Sequence, residues 1–378
     1  MQTTVAIERR KIERPPFSHL LIIEPMGILY GSAGRFLSPE NLVGRAGTSF
    51  PPSPATVSGI FAKQLFERDR NALEKLQIAG AFWGKTDDVH NFYVPTPFNY
   101  LVTGGLEKFG LASYVKYKLA WQESEDKNNG VWNPINQTEE YKNSSEKYQS
   151  DTWINLKDWQ SIQPGKTEAI DPAKKCWKSI PHLHPKLKQN ERIVDEESEG
   201  SLFLENGIQL ESDICLIYLT NTEIPAGWYR FGGEGHIVNI RCEPIQDPIE
   251  SLLNQDLGRS FALITSAVWG SNRLSYRTPN IDEDSQPIWN NNYKTPGILT
   301  QRPHSFRYRL GGEPGKTKRL SRGRYAVPAG TVYVLDKPFA ENENTWEKWS
   351  DDWFPYEAYS FKRWGCGLAL PLDCADIN

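Results

Sequence analysis

Apolar residues along this chain come in short bursts separated by proline, glycine and charge, and each burst predicts a different element. Residues 1–14 are charged and lack an apolar period, so they read as a loose arm. Phe17 to Glu24 is a short apolar run bounded by prolines, the pattern of a buried strand. A loop follows that holds Gly27, Gly31, Gly34, Arg35, Gly44 and Gly47. Phe50-Pro51-Pro52-Ser53-Pro54-Ala55-Thr56-Val57 then predicts a helix start. Ser53 suits the cap, and Pro54 suits the first helical position, where a missing N–H costs nothing. Val57, Ile60, Phe61 and Leu65 would share one helical face.

Gly80 to Val102 reads as paired strands carrying Trp83, Phe92, Tyr93 and Phe98. From about Leu111 to Gly200 the chain is rich in Lys, Glu, Asn, Ser and Trp with weak periodicity, which predicts an insertion of hairpins and loops without a core of its own. Its Trp121, Trp132, Trp153, Trp159 and Trp177 fit either partner contacts or a small local core. Apolar order resumes at 201–203 and at Ile214 to Leu219, and the stretch Gly227 to His236 leads into a strand from Ile237 to Cys242. Asp247-Pro248-Ile249-Glu250 predicts a second helix start resembling a capping box, with Leu252 and Leu253 on its apolar face. Strands are expected at Phe261 to Trp269, Ser305 to Leu310 and Thr331 to Leu335. This order predicts an α+β chain of two units with mainly antiparallel sheets. The first covers 1–245 with the insertion at about 111–200, and the second covers 246–378.

Composition changes that picture in two ways. Sixteen Phe, sixteen Tyr and thirteen Trp in 378 residues give ample material for a core, but 12% aromatic is high for so polar a chain, so some rings are expected at surfaces or interfaces. A net charge of −4 argues against a generally adhesive nucleic-acid binder but leaves room for a local basic groove. Cys176, Cys215, Cys242, Cys366 and Cys374 are widely separated and odd in number, and no secretory signal precedes them, which points to a reducing cytoplasm. The apolar run at Leu20 to Ile23 stops at Glu24 and Pro25, so no membrane span is expected.

Among motifs, Gly315-Lys316-Thr317 lacks the glycine five positions earlier that a phosphate loop needs, since position 310 is Leu310. His182 and His184 lie beside prolines without a matching ligand set. No cofactor, metal ligand or catalytic residue is therefore expected. Gly232-Gly233-Glu234-Gly235 is more informative, because three glycines in four positions carry a heavy backbone-entropy cost. The run is either a plain tight turn or an anion-binding nest flanked by Arg230 and His236. Arg302 to Arg324 is the most basic stretch. It sets Arg302, Arg307, Arg309, Lys316, Lys318, Arg319, Arg322 and Arg324 against Glu313, with Phe306, Tyr308 and Tyr325 interleaved. That suits either a single-stranded nucleic-acid face or a solvated hairpin.

Four segments in order resemble the Cmr-type RAMP subunit of type III CRISPR–Cas effector complexes, in the fifth Cas-protein group. They are Glu24 to Phe36, Ser49 to Gly59, Gly232 to His236, and Val327 to Tyr333 with the closing Gly365 to Leu370. The resemblance implies two ferredoxin-like (RRM-related) domains and a non-catalytic role: binding the crRNA 5′ tag and docking on the large polymerase/HD subunit. Backbone RAMP subunits would be neighbours, and target RNA would be met only indirectly. Arg35, Ser49, Phe50, Ser53, Thr56, Arg230, Gly232, Gly233, Glu234, Gly235 and His236 would then lie near the tag, with Lys316, Arg322 and Arg324 as further RNA contacts. His236 stands where the family commonly has arginine. A metal-independent RAMP endoribonuclease using His236, Tyr229 or His304 as acid or base is the alternative, and a protein-only scaffold is a third.

Overall fold

Leu20, Leu21, Ile22 and Ile23 lie in the middle of strand β1 (His19–Pro25), and all four are buried in the computed structural model. Successive strand residues point to opposite faces, so four buried in a row require a sheet covered on both sides. Leu20 and Ile22 join a cluster containing Phe82, Phe92, Phe261 and Tyr333, whereas Leu21 and Ile23 join another containing Val57, Ile60, Phe61 and Tyr218. Each such aliphatic side chain contributes roughly 1.5–3 kcal/mol when fully buried. The structure describes residues 13–30, 50–104, 113–124, 130–135, 141, 145–185, 188, 193, 202–232, 235–271, 273–308, 320–357 and 359–374.

After β1 the described chain forms helix α1 (Pro54–Leu65), the short α2 (Arg70–Lys75) and the hairpin of β2 (Ile78–Lys85) with β3 (Asp88–Pro95). Ser53 is the cap residue of α1 and Pro54 its first residue, as the sequence predicts. The Ser53 hydroxyl, however, meets the Thr56 hydroxyl at 3.3 Å and caps no backbone N–H. Val57, Ile60 and Phe61 are the buried face.

The stretch from 113 to 185 contributes β4 (Tyr114–Glu123), β5 (Gly130–Pro134), β6 (Trp153–Asn155), β7 (Ala169–Ile170) and β8 (Trp177–Pro185), and β8 pairs with the following β9 (Leu202–Leu210). Hairpins are present as the sequence predicts, but β6 and β7 also extend the main sheet beyond β3. The tryptophans of this region supply core. Trp121 and Trp159 are buried, and the Trp159 indole donates to the Pro371 carbonyl at 2.8 Å. Trp83 stacks flat on Tyr93 with centroids 4.0 Å apart, and Trp153 and Trp177 close around it.

The first half ends with β10 (Ile214–Thr220), β11 (Gly227–Phe231) and β12 (His236–Pro244). The main sheet runs β11-β12-β1-β10-β2-β3-β6-β7. A short α3 (Ile249–Asn254) starts one residue later than the capping-box reading: Pro248 is the cap, and the Asp247 carboxylate accepts from the Ser251 N–H and hydroxyl.

The second half is built on β13 (Ser260–Leu263), β14 (Gly297–Leu299), β15 (His304–Phe306), β16 (Arg324–Ala326), β17 (Val332–Val334) and β18 (Ala369–Pro371). The strand expected from Phe261 to Trp269 stops at Leu263. There Thr265 and Ser266 turn to bond the Gly365–Gly367 loop, through the Thr265 hydroxyl to Gly365 O and Gly367 N–H to Ser266 O.

Four strands of this half lie in the order β14-β17-β13-β18. Counting each set in chain order, both β12-β1-β10-β2 and β18-β13-β17-β14 read fourth-first-third-second, with every neighbouring pair antiparallel. Only one of the described crossovers carries an α-helix longer than two turns, namely α1. In the second half short strands deliver most of the large rings, and 3-10 turns add Trp346, Trp353 and Phe361. Phe261 lies 5.2–5.7 Å from Trp289, Tyr333, Phe339 and Trp349, close enough for edge and offset packing.

The halves share one core and meet through close backbone contacts. Gly365, at φ +61°, lies on the Ala79 backbone of β2, and Gly330, at φ +90°, accepts the Phe98 N–H at 2.8 Å. A buried polar group completes the seam. The Lys362 ammonium donates to the Glu347 and Trp349 carbonyls at 2.7 and 2.6 Å, and the Gln77 amide donates to the Glu347 carboxylate at 3.1 Å. Burial lowers the Lys362 pKa to about 8 and raises that of Glu347.

Candidate nucleic-acid interface

The glycine-rich run closes the β11–β12 hairpin, in which Phe231 pairs with His236 and Arg230 with Ile237. Gly232 and Gly235 both have φ +70°, the left-handed region that a side chain would resist, so the bend itself accounts for these two glycines. Alternation along β11 fixes what each face presents. Phe231 is buried and Tyr229 half-buried toward α1, while Trp228 and Arg230 point outward and are exposed. Among the described residues no carboxylate pairs with Arg230. His236 is half-buried at the head of β12.

The start of α1 lies at the same end of the sheet. β1 runs toward the hairpin turn: its last residues, Glu24 and Pro25, pair with Asn239 and Val238, and Met26 N–H donates to Ile237 O. β2 begins opposite Thr220, the partner of His19, so α1 returns with its C-terminus toward the start of β1 and its N-terminus toward the turn. Tyr218 donates from its hydroxyl to the Pro52 carbonyl at 2.6 Å and fixes this entry. Phe50 packs edge-on against Trp177 at 5.0 Å. Phe50, Ser53 and Thr56 thus share one end of the sheet with Arg230, Gly232, Gly235 and His236, although α1 covers the face opposite the one from which Arg230 projects. Arg35, Ser49, Gly233, Glu234 and Lys316 lie outside the described residues.

The basic stretch divides. Arg322 is exposed, and its backbone N–H donates to the Glu357 carboxylate at 3.1 Å. Arg324 corrects the sequence reading. Its side chain is buried, bound to Glu357 at 2.7 Å and laid over the Phe361 ring at 4.8 Å, so the guanidinium is committed to the fold instead of being presented to RNA. Alternation on β16 turns the neighbouring Tyr325 outward. Sequence reasoning also misses Trp228, the most exposed large apolar side chain among the described residues at 75%. A signal for it exists, since Trp228 and Arg230 alternate with Tyr229 and Phe231.

Chemistry at the remaining reactive groups is restrained by burial, which pushes the Cys215, Cys366 and Cys374 thiols up to about 12 and keeps them protonated at neutral pH. Among the described residues no group of three His, Cys, Asp or Glu could hold a metal ion, and no helix is long and apolar enough to cross a membrane.

No curated protein sequence matches this chain. Solved structures with a similar chain include the type III-B Cmr-beta complex bound to cognate target RNA, at 10% identity, 83% of this chain, 86% of that one and a TM-score of 0.46. Another is the Csm3–Csm4 subcomplex of the type III-A CRISPR–Cas interference complex, at 11% identity, 86% and 96% coverage and a TM-score of 0.32. The family model for the CRISPR-associated protein Cas_Cmr3 matches residues 29–373, nearly the whole chain. The chain therefore belongs to the Cas_Cmr3 family of CRISPR-associated proteins.

Proposed function

We propose that this chain is a non-catalytic RNA-binding subunit of a type III CRISPR–Cas effector ribonucleoprotein. It grips the 5′ tag of the crRNA and docks on the large polymerase/HD subunit in antiviral defence. Backbone RAMP subunits are its neighbours, target RNA is met through the guide, and the complex is cytoplasmic. The observation that carries this reading is Arg230. In a chain of a CRISPR-associated family, it is an exposed arginine without a carboxylate partner among the described residues, beside a left-handed glycine turn, at the sheet end where α1 begins. Backbone N–H groups of such a turn suit a phosphate, and the arginine adds a charged donor.

Phe50, Ser53, Thr56, Arg230, Gly232, Gly235, His236 and Arg322 form the described part of the proposed RNA surface. Arg35, Ser49, Gly233, Glu234 and Lys316 complete it. We also take 1–245 and 246–378 as two ferredoxin-like domains whose crossovers have largely exchanged helices for hairpins and turns. The twice-repeated strand order supports that reading.

The test is tagged single-stranded RNA titrated with the chain at several salt concentrations. Arg230→Ala with His236→Ala is expected to weaken binding and to flatten log K against log salt by about 0.7 for each phosphate left without its cation. Unchanged affinity and slope would overturn the assignment.

A further inference from the structure

We infer that Trp228 is a stacking platform for one unpaired nucleobase, with Arg230 beside it holding the adjoining phosphate. This deepens the RNA-binding reading above and rests on it. Trp228 is exposed on a strand, not on a loose loop or terminus. Its outward position is locked by register. Phe231 is buried in the α1 core and Tyr229 packs against it, so a one-residue slip of β11 would expose Phe231 and bury Arg230. The ring is therefore held in water by the same packing that stabilises the hairpin. Three quarters of the ring's surface is open to a ligand.

The surroundings indicate which ligand. Trp228 lies opposite Asn239, and Arg230 lies opposite Ile237, so these four side chains share one outward face. Residues two apart on a strand are about 7 Å apart, which places a cation next to the ring instead of over it. Farther along this face Arg241 is neutralised by Glu24 and Glu243, whereas Arg230 has no carboxylate partner among the described residues. One indole and Ile237, interrupted by a guanidinium and an amide, make too small an apolar patch for a stable protein interface, which buries at least about 1,000 Å². A π-face beside an exposed cation instead complements a base attached to a phosphate.

The edge position helps as well. β11 is the last strand of the main sheet, so a strand of RNA can cross its outward face without meeting another strand beyond it. Stacking is tolerant of base identity, so Trp228 orders the chain of nucleotides and Arg230 sets its position; neither alone reads a sequence.

The experiment uses the full chain and a fluorescein-labelled single-stranded RNA carrying the crRNA repeat-derived tag, with a set of probes each abasic at one tag position. Trp228→Ala is expected to weaken binding about 5- to 150-fold, the value of one base–aromatic stack, while leaving the salt slope unchanged. Trp228→Phe should recover most of the affinity. On the probe abasic at the stacked position, the wild-type chain and Trp228→Ala should bind equally. Since the ring is exposed, the urea midpoint should not move, and unchanged folding is checked first.

If Trp228→Ala binds RNA as well as the wild type while Arg230→Ala with His236→Ala binds weakly, the stacking inference fails and the RNA-binding reading stands. If all these variants bind normally, both fail. Unchanged RNA affinity with failed co-purification of a large protein partner makes the face a protein contact and overturns the inference.

Discussion

Replacing Gly365 by alanine tests how the two halves are joined. Gly365 sits at φ +61°, and a Cβ there would fall on the Cα and Cβ of Ala79 and lie 3.1 Å from the Ile78 carbonyl. Two penalties follow. The left-handed conformation costs an L-residue about 1–2 kcal/mol, and forcing a methyl into a packed seam costs about 1–3 kcal/mol more. The expected destabilisation is therefore about 2–5 kcal/mol, a large share of the roughly 5–15 kcal/mol that holds a typical domain. Gly258 separates the two terms, because it has φ +62° but nothing within 4 Å of an added Cβ. Gly258→Ala should cost only the conformational part. Adding Ala79→Gly to Gly365→Ala should restore part of the stability by removing one of the colliding methyls. Urea unfolding followed by far-UV circular dichroism reads all four chains. Equal destabilisation at Gly365 and Gly258 would refute the close approach of the 361–367 turn to β2.

Two further substitutions follow from the buried polar groups. Lys362 titrates near 8 when folded, against an ordinary value of 10.5, so between those values the unfolded chain holds more protons and stability rises with pH, by up to about 3 kcal/mol. Lys362→Met should abolish that rise, and urea midpoints at pH 7.5 and 10 that move equally in both chains would contradict it. Arg324→Met breaks a buried ion pair with Glu357, so it should cost about 3–5 kcal/mol of stability while leaving the salt slope of RNA binding untouched. A flattened slope in a folded Arg324→Met chain would return Arg324 to the RNA surface.

The parts of the fold legible in the sequence are those where one local pattern decides the outcome. The run Leu20–Ile23 announces a buried strand because a strand covered on both faces has no need to alternate. Proline and serine announce the start of α1 because caps are chosen by adjacent residues. The second half is harder to read. Its strands are two to four residues long, and several of its core rings, Trp346, Trp353 and Phe361 among them, arrive from 3-10 turns, which leave no periodicity to detect. Arg324 shows the same limit at the site. Eight basic residues in one stretch look alike in sequence, and only the fold reveals that Glu357, more than thirty positions later, claims one of them. Trp228 is legible from strand alternation, but the glycines beside it give the louder signal. Two of those glycines are explained by the bend, and the C-terminal Gly330 and Gly365 by contact between halves.

The shared core also has a consequence for the order of synthesis. The face of β1 and β2 that carries Leu20, Ile22, Ala79 and Phe82 is completed by Phe261, Tyr333, Phe361 and Leu370, which leave the ribosome long afterwards. For most of translation the nascent chain therefore holds an apolar sheet face only partly covered by residues such as Val115, Trp121 and Trp159, the kind of surface that recruits chaperones or seeds aggregation. Slowed elongation between β12 and β18 should lengthen that exposure, making the yield of soluble chain sensitive to codon choice in its second half.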